Sequence, residues 1–215
     1  MEQRDYWNSV SASKNFTTPF QADEFADLVG KDAVIADIGC GYGRTMAELH
    51  DRGYERLVGF DFSDGMIERG RKLFPYLDLR VLNGGKTDFA DDSADAVILF
   101  AVLTCIAGDD DQKRLIEEIR RILRPGGILY VNDFLLNDDE RNLLRYGKYA
   151  EKYGIYGVFE LPEGAVLRHH SEEYIKQLLS DFAELRFEHL TFTTMNGNRS
   201  NGFYYIGRYE QRERE

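Results

Sequence analysis

The stretch "VIADIGCGYG", residues 34–43, limits the possible folds of this chain more than any other segment. Residues 33–38 predict a buried strand that carries Asp37 near its end, and three alternate glycines then lead into a helical pattern at 44–52. Glycine lacks a Cβ, so its backbone can adopt positive φ and can approach another group closely. A strand, a glycine loop and a helix in this order are typical of an open α/β sheet that binds a ligand beyond its strand tips.

Apolar runs continue to alternate with helical patterns beyond the glycine loop. Further strands are predicted at 56–62, 77–83, 94–103 and 128–135, helices at 63–74 and 110–123, and a turn at 124–127. A helix at 171–182 and two strands, at 183–194 and 201–210 around the turn-forming "MNGNRSNG", complete the chain. The sequence therefore predicts an α/β fold, with a doubly wound, mostly parallel seven-stranded sheet, an antiparallel edge hairpin and helices on both faces.

Charge and composition narrow the class of protein. The net charge of −11 argues against a nucleic-acid-binding surface, so no nucleic acid partner is expected. The longest apolar run, 94–107, is too short to span a bilayer, and the first ten residues lack the apolar core of a signal peptide. Cys40 and Cys105 match no zinc or disulfide pattern, and no metal cluster is evident. We therefore expect a cytoplasmic protein with free thiols, away from membranes; its oligomeric state is left open.

Two acidic residues indicate the chemistry of the ligand. The glycine spacing is G-x-G-x-G followed by Arg44, whereas NAD-binding loops use G-x-G-x-x-G, so an NAD or nucleotide-sugar enzyme is disfavoured. Asp37 at the first strand tip suits a cationic ligand better than a diphosphate. Asp61 stands at the tip of the second predicted strand, where a carboxylate can accept hydrogen bonds from both hydroxyls of a ribose.

Four segments together resemble the class I S-adenosylmethionine-dependent methyltransferases. They are "VIADIGCGYGRTMAEL", "LVGFDFSDGMIERGRKL", "DDSADAVILFAVL" and "LIEEIRRILRPGGILYVNDF", in the order and at roughly the spacing of that family. The resemblance covers about residues 30–136. It implies S-adenosyl-L-methionine as cofactor and methyl transfer by in-line displacement, with a small-molecule acceptor as our expectation. It also suggests one domain over 1–215, with a helical lid at 1–30, a cofactor-binding core at 31–136, an acceptor-side insertion at 137–170 and closing elements at 171–215.

The resemblance implies cofactor-binding roles for residues at the first four strand tips. Those residues are Asp37, Gly39, Cys40, Gly41, Gly43, Asp61, Phe62, Met66, Asn83, Gly84, Phe100 and Ala101. The glycines would pass beside the methionine part of the cofactor, Asp37 would reach its ammonium and Asp61 its ribose. The adenine ring would lie between Phe62 and Met66.

The remaining cofactor assignments are less direct. Asn83 and Gly84 would meet the adenine edge, while Phe100 and Ala101 would flank the amino-acid end and the transferred methyl. A plain turn at 83–85 and ordinary core packing of Phe62 and Met66 stand as alternatives.

The acceptor side is less defined by the sequence. A general base is needed only for an acceptor that starts protonated, and the weak candidates are His169, His170 and Asp133, with surface or helix-capping histidines as the alternative. Aromatic and basic residues near the N-terminus are candidates for a lid, or for simple packing: Tyr6, Trp7, Lys14 and Phe16. A methyltransferase acting on protein or RNA, or a non-catalytic sensor of the cofactor or its demethylated product, remain alternatives. An enclosed cavity under 1–20 and 137–170 would favour a small acceptor, and an open groove a macromolecule.

Overall fold

The structure is a computed structural model that describes residues 3–194 and 197–210. Within these ranges the main sheet has seven strands, and a second sheet has two. The strands are β1 (Ile35–Ile38), β2 (Leu57–Asp61), β3 (Asp78–Val81), β4 (Ala94–Phe100), β5 (Leu123–Phe134), β6 (Val158–Glu160), β7 (Val166–Arg168), β8 (Phe182–Thr193) and β9 (Arg199–Tyr209). The order in the main sheet is β3-β2-β1-β4-β5-β9-β8, and β6 pairs with β7.

Strand direction confirms the predicted fold class. The five strands from β3 to β5 run parallel, whereas β9 is antiparallel to both β5 and β8. The chain builds outward from β1 through β2 to β3, then returns to the other side of β1 to form β4 and β5. The strand order therefore reverses between β1 and β4. Ligands of doubly wound sheets bind at such a reversal, beyond the carboxyl ends of the strands.

Helices cover both faces of this sheet. They are α1 (Gln3–Val10), α2 (Ala22–Ala26), α3 (Arg44–Asp51), α4 (Asp64–Leu73), α5 (Asp109–Ile122), α6 (Glu140–Tyr153) and α7 (Glu172–Leu178), with one 3₁₀ turn at Leu103–Cys105. In the part of the chain that the structure describes, none of these helices combines the length and apolarity needed to cross a membrane.

Alternate residues of the central strands supply two separate cores. In β4, Ala96 and Ile98 pack into the core beneath α2 and α3, whereas Val97 and Leu99 pack into the core beneath α5. This division follows from the two-residue period of a strand, whose successive side chains point to opposite faces. A strand covered on both faces is apolar at successive positions, which explains the continuous apolar run at 96–100.

Three details differ from the sequence-based expectation. Residues 124–127 were expected to form a turn, but they belong to β5, where Gly126 has a φ of +80° and the pairing with β4 shifts register. The insertion at 137–170 contains a 14-residue helix, α6, and the β6–β7 pair, none of which was predicted. In the predicted turn at 195–202, residues 199–202 instead belong to β9, and residues 195 and 196 lie outside the described ranges.

Candidate cofactor and acceptor site

One cavity lies at the carboxyl ends of β1, β2 and β4, where the strand order reverses. Its wall includes fourteen of the residues singled out from the sequence: Tyr6, Trp7, Lys14, Phe16, Asp37, Gly39, Cys40, Gly41, Asp61, Phe62, Met66, Phe100, Ala101 and His169. These residues come from α1 and the segment after it, from the tips of three strands, and from the insertion. The sheet thus brings together side chains that are far apart in the sequence.

Asp37 is buried without a hydrogen-bond partner. Its side chain is 2% exposed, and neither carboxylate oxygen accepts a hydrogen bond from the described residues. Burial, reinforced by the negative charge of Asp61, raises the pKa of Asp37 to about 7, while Arg44 acts in the opposite direction. Leaving a carboxylate unsatisfied in this way is costly. A cationic group bound in the cavity would relieve that cost.

Asp61 joins the glycine loop to the tip of β2. One carboxylate oxygen accepts a hydrogen bond from the Gly41 N–H at 2.9 Å, and the other accepts from the Ser63 N–H at 2.8 Å. Burial raises the pKa of Asp61, although these two N–H groups partly counteract the effect. Each oxygen retains a lone pair, so the carboxylate can still accept from two ligand hydroxyls.

Gly41 shows why this loop needs a residue without a side chain. Its φ is +55°, and a Cβ at this position would lie 2.5 Å from Cε2 of Phe16. Phe16 in turn stacks on Tyr42, with ring centroids 5.1 Å apart and planes 5° apart. The N-terminal segment therefore packs directly on the glycine loop and covers the cofactor side of the cavity.

These observations together test whether S-adenosylmethionine fits the site. An unsatisfied carboxylate suits the ammonium of the cofactor, the Asp61 carboxylate suits a ribose diol, and the loop leaves its backbone accessible. Ala101, at the tip of β4, is a non-glycine residue with a φ of +55° in the cavity wall. Strained backbone of this kind is common at ligand sites. The residues present fit the cofactor.

The cofactor residues implied by the resemblance do not all reach the cavity. The side chain of Asn83, two residues beyond the end of β3, instead accepts from Arg4 at 3.4 Å and is absent from the cavity wall. Gly84 is exposed, with open space where a Cβ would stand. Gly43 caps the start of helix α3 and packs near Leu79, so it supports the glycine loop on the side away from the cavity.

Two of the weak catalytic candidates also lie away from the cavity wall. Asp133 is fully buried and accepts from the backbone N–H groups of Thr104, at 3.2 Å to each oxygen, and Phe134, at 2.8 Å. It holds the 3₁₀ turn against β5. His170 is 1% exposed and lies 2.9 Å from the Gln112 amide nitrogen. Neither histidine of the pair is on the surface, so the surface alternative was wrong.

His169 is the candidate that does line the cavity. Its Nδ1 lies 2.6 Å from the Tyr146 hydroxyl and 3.1 Å from Asn137 Nδ2. The Tyr146 oxygen already accepts from the Asn137 N–H, and the Asn137 amide oxygen accepts from the Asn201 N–H. A Tyr146 hydroxyl that donates to Nδ1 leaves the ring proton on Nε2, and this is the tautomer that we adopt for His169. Burial, followed by the nearby Arg145 charge, lowers the pKa of His169 well below its usual range, so the ring is neutral and is a poor general base.

Sequence reasoning missed much of the wall beyond the cofactor side. The additional residues are Thr17, Thr18, Arg44, Thr45, Val102, Thr104, Cys105, Phe134, Arg141, Arg145, Phe159, Leu161, Ala165, Leu167, Thr194, Asn198 and Ser200. Arg141 and Arg145 could have been found as an i,i+4 pair of cations, but only if α6 had been predicted. Apart from Arg44, the others are uncharged and carry no signal that separates them from core or loop residues.

Comparisons with known proteins agree with this geometry. The family model described as a methyltransferase domain matches residues 36–131. A protein of Mycolicibacterium smegmatis named a probable S-adenosylmethionine-dependent methyltransferase is 32% identical over 103 residues, which are 48% of this chain and 38% of that protein. A demethylmenaquinone methyltransferase of Beutenbergia cavernae is 35% identical over 104 residues, 46% of this chain and 40% of the relative. The chain thus spans about two fifths of the length of these curated relatives.

A solved structure extends the similarity beyond the central segment. A S-adenosylmethionine-dependent methyltransferase of Methanosarcina mazei superposes with a TM-score of 0.84 at 25% identity, covering 91% of this chain and all of that one. The shared sheet order, the matched segment and the site geometry lead to one conclusion. Residues 36–131 are a methyltransferase domain, and the fold around them is that of the class I S-adenosylmethionine-dependent methyltransferases, whose cofactor is S-adenosyl-L-methionine.

Proposed function

We propose that this protein transfers the methyl group of S-adenosylmethionine to a small-molecule acceptor. The observation that carries the proposal is a single covered cavity that joins the Asp37 and Asp61 carboxylates to an apolar chamber. The cofactor end is covered by Trp7 and Phe16, and the chamber is lined by residues of 134–169. The demethylmenaquinone methyltransferase relative supports a small acceptor by its name.

The residues of the chain would bind and orient rather than attack. When bound, the cofactor supplies an activated methyl group on a sulfonium, so no protein nucleophile is required. Asp37 would hold the ammonium of the cofactor and Asp61 its ribose, while Phe62 and Met66 would contact the adenine. Phe16 and Trp7 would exclude water from the reacting atoms. Positioning of this kind can lower the activation free energy of the reaction by roughly 7–11 kcal/mol in favourable cases.

The test has two steps that address cofactor and acceptor separately. Calorimetry with S-adenosylmethionine and S-adenosylhomocysteine measures cofactor binding. Incubation of the enzyme with methyl-labelled cofactor and a metabolite extract, with protein and RNA fractions in parallel, then shows where label goes. We expect label in the small-molecule fraction. Label only in protein or RNA would contradict the small acceptor, and binding without any transfer would favour the sensor alternative.

A further inference from the structure

The half of the cavity away from Asp37 is defined here as the acceptor chamber. Its wall consists of Phe134, Arg141, Arg145, Phe159, Leu161, Ala165, Leu167, His169 and Ser200. Five of these nine residues are apolar, and three others, Arg141, Arg145 and His169, have nitrogen atoms that can donate hydrogen bonds. The carboxylates of the described cavity wall, those of Asp37 and Asp61, belong to the cofactor end. The chamber therefore combines an apolar body with positive charge.

Arg145 is the most unusual group in the chamber. Its guanidinium lies 3.5 Å from the centre of the Phe159 ring, and its Nε is buried without a hydrogen-bond partner. Among the described residues no carboxylate lies within ion-pair distance of Arg145. Elsewhere the fold does provide partners for partly buried arginines, since Arg168 pairs with Asp109 and Arg121 pairs with Glu118. A half-buried guanidinium whose polar contact is Tyr146 rather than a carboxylate can bind an anion.

The neighbours of Arg145 reinforce this charge. Arg141 lies one helical turn earlier on α6, and its Nε is 3.8 Å from Asp139. The carboxylate of Asp139 is engaged in capping α6, because it accepts the Asn142 N–H at 3.2 Å. His169 packs edge-on against Phe159, with ring centroids 4.9 Å apart, and carries its proton on Nε2. Arg145 and His169 thus contact the same aromatic ring, and Arg141 adds a second positive charge to the cavity wall one helical turn away.

We propose that the methyl acceptor is an anionic molecule with an apolar body, whose carboxylate or phosphate is bound by Arg145 and Arg141. His169 donates from Nε2 to the same oxygens or to a neighbouring oxygen of the acceptor. The apolar body packs against Phe134, Phe159 and the aliphatic residues of the chamber. This inference rests on the proposed function, because it assigns a substrate class to the acceptor end of that site.

Binding measurements on a matched set of probes test the inference without any methyl transfer. The probes are 2-naphthoate, 2-naphthyl phosphate and the neutral 2-naphthamide, titrated into the full chain saturated with S-adenosylhomocysteine. We expect one or both anions to bind at least about tenfold more tightly than the amide. Comparison of the carboxylate with the phosphate then identifies the anionic group. Equal or tighter binding of the amide, or no anion binding at millimolar concentration, would overturn the proposal.

Variants assign the preference to the proposed residues. Arg145→Met should remove most of the preference for the anion, and Arg141→Met should reduce it. Lys148→Met is the matched control, because it removes one positive charge from an exposed position of the same helix and should leave the preference intact. Arg145→Lys preserves the charge and should retain part of the preference if Arg145→Met does not fold. An unchanged preference in both Arg145 variants would contradict the assignment.

The two proposals fail in different ways. If S-adenosylhomocysteine does not bind, the proposed function fails, and the naphthoate titration of the unliganded chain still tests the anion site. If S-adenosylhomocysteine binds and the amide is preferred, the proposed function stands and the anion site is wrong.

Discussion

At the scale of single residues, Asp37 is the carboxylate that folding alone leaves unsatisfied. Burial raises its pKa to about 7, from an ordinary value of 3.8. The folded state therefore binds this proton more tightly than the unfolded state does. The resulting stabilisation is fully present below the unfolded pKa and is lost as the pH rises through about 7. A shift of this size corresponds to a stability change on the order of 4 kcal/mol between those limits.

Asp37→Asn should therefore stabilise the ligand-free protein at neutral and alkaline pH. The amide carries no charge in either state, so the free energy of unfolding of the variant should exceed that of the wild type increasingly from pH 4 to pH 8. Urea unfolding across this range measures the difference. Glu68→Gln, at an exposed position of α4, is the control and should show no such trend. A difference between Asp37→Asn and the wild type that does not grow with pH would contradict an unpaired, buried carboxylate.

The carboxylate of Asp61 has a double task, because it holds the Gly41 N–H and should also hold the ligand. Asp61→Ala removes a charge-assisted hydrogen bond, so the affinity for S-adenosylhomocysteine should fall by about 1.5–3 kcal/mol. Calorimetry measures the loss of affinity. Glu68→Ala serves as the control, because it removes one negative charge from an exposed position in the nearby helix α4. Wild-type affinity in Asp61→Ala would mean that the ribose binds elsewhere.

At the scale of secondary-structure elements, the N-terminal segment is tied down by one side chain of α4. Arg69 donates to the carbonyl groups of Ser11, at 2.9 Å, and Lys14, at 2.6 Å, and its guanidinium lies 4.0 Å from the centre of the Tyr42 ring. The same ring carries Phe16. Arg69 thus fixes the path of the segment that covers the cofactor end of the cavity.

Arg69→Met should loosen this cover while the sheet stays intact. Two hydrogen bonds from a charged donor are lost, so we expect affinity for S-adenosylhomocysteine to fall about tenfold, with a small change in melting temperature. The chain has one tryptophan, Trp7, which lies in the cavity wall, so its fluorescence reports the cover directly. Lys72→Met, at an exposed position of α4, is the matched control. Unchanged fluorescence and affinity in Arg69→Met would show that the segment is held by other contacts.

The sequence predicted the helices and strands whose buried residues recur at a regular spacing. It missed the elements that lack this spacing of buried residues. The parallel strands and α3 to α5 were predicted within a few residues, because their apolar residues recur at every position or at helical spacing. Helix α6 was missed because only Asn142 and Tyr146 of its 14 residues are buried. Leu143, Tyr146, Ala150 and Tyr153 do recur at helical spacing, but two of the four are tyrosines, which are also common in strands, so the stripe was not recognised.

The candidate site was predicted unevenly for a related reason. Asp37, Gly41 and Asp61 were identifiable because their chemistry is unusual for strand tips and loops. The role of Asn83 stays a prediction, because its side chain lies beside Arg4 of α1, and the sequence pattern does not contain this long-range contact. The role of Arg145 depends on a helix that was not predicted. Local patterns identify groups with distinctive chemistry, whereas the tertiary fold decides which of them meet.

At the scale of the whole molecule, the cavity wall combines strand tips of the sheet with two segments outside it, the N-terminal segment and the insertion. Trp7 precedes the sheet, Asp37 and Phe100 stand at strand tips, and Arg145 belongs to the insertion. Contacts between the N-terminal segment and the insertion are few, for example the Gln3 side chain that donates to the Val166 carbonyl. A ligand that touches all of these segments would therefore add contacts between parts that are weakly joined without it.

For this reason, saturation with S-adenosylhomocysteine should slow amide hydrogen exchange simultaneously in several segments that are far apart in the sequence. We expect protection at residues 3–18, 35–45, 61–66 and 100–105, while α5 and residues 183–190 of β8 serve as internal controls. Bound ligand lowers the population of locally open states from which it must dissociate. Amide exchange that needs such an open state therefore slows by up to about 100-fold when the ligand concentration is 100 times its dissociation constant. Mass spectrometry of peptides from the exchanged protein measures the effect. Protection confined to 35–66, with 3–18 unchanged, would mean that the N-terminal segment is not part of the cofactor site. Equal protection of the control segments would instead indicate global stabilisation, because a local closing of the cavity leaves the openings of α5 and β8 unaffected.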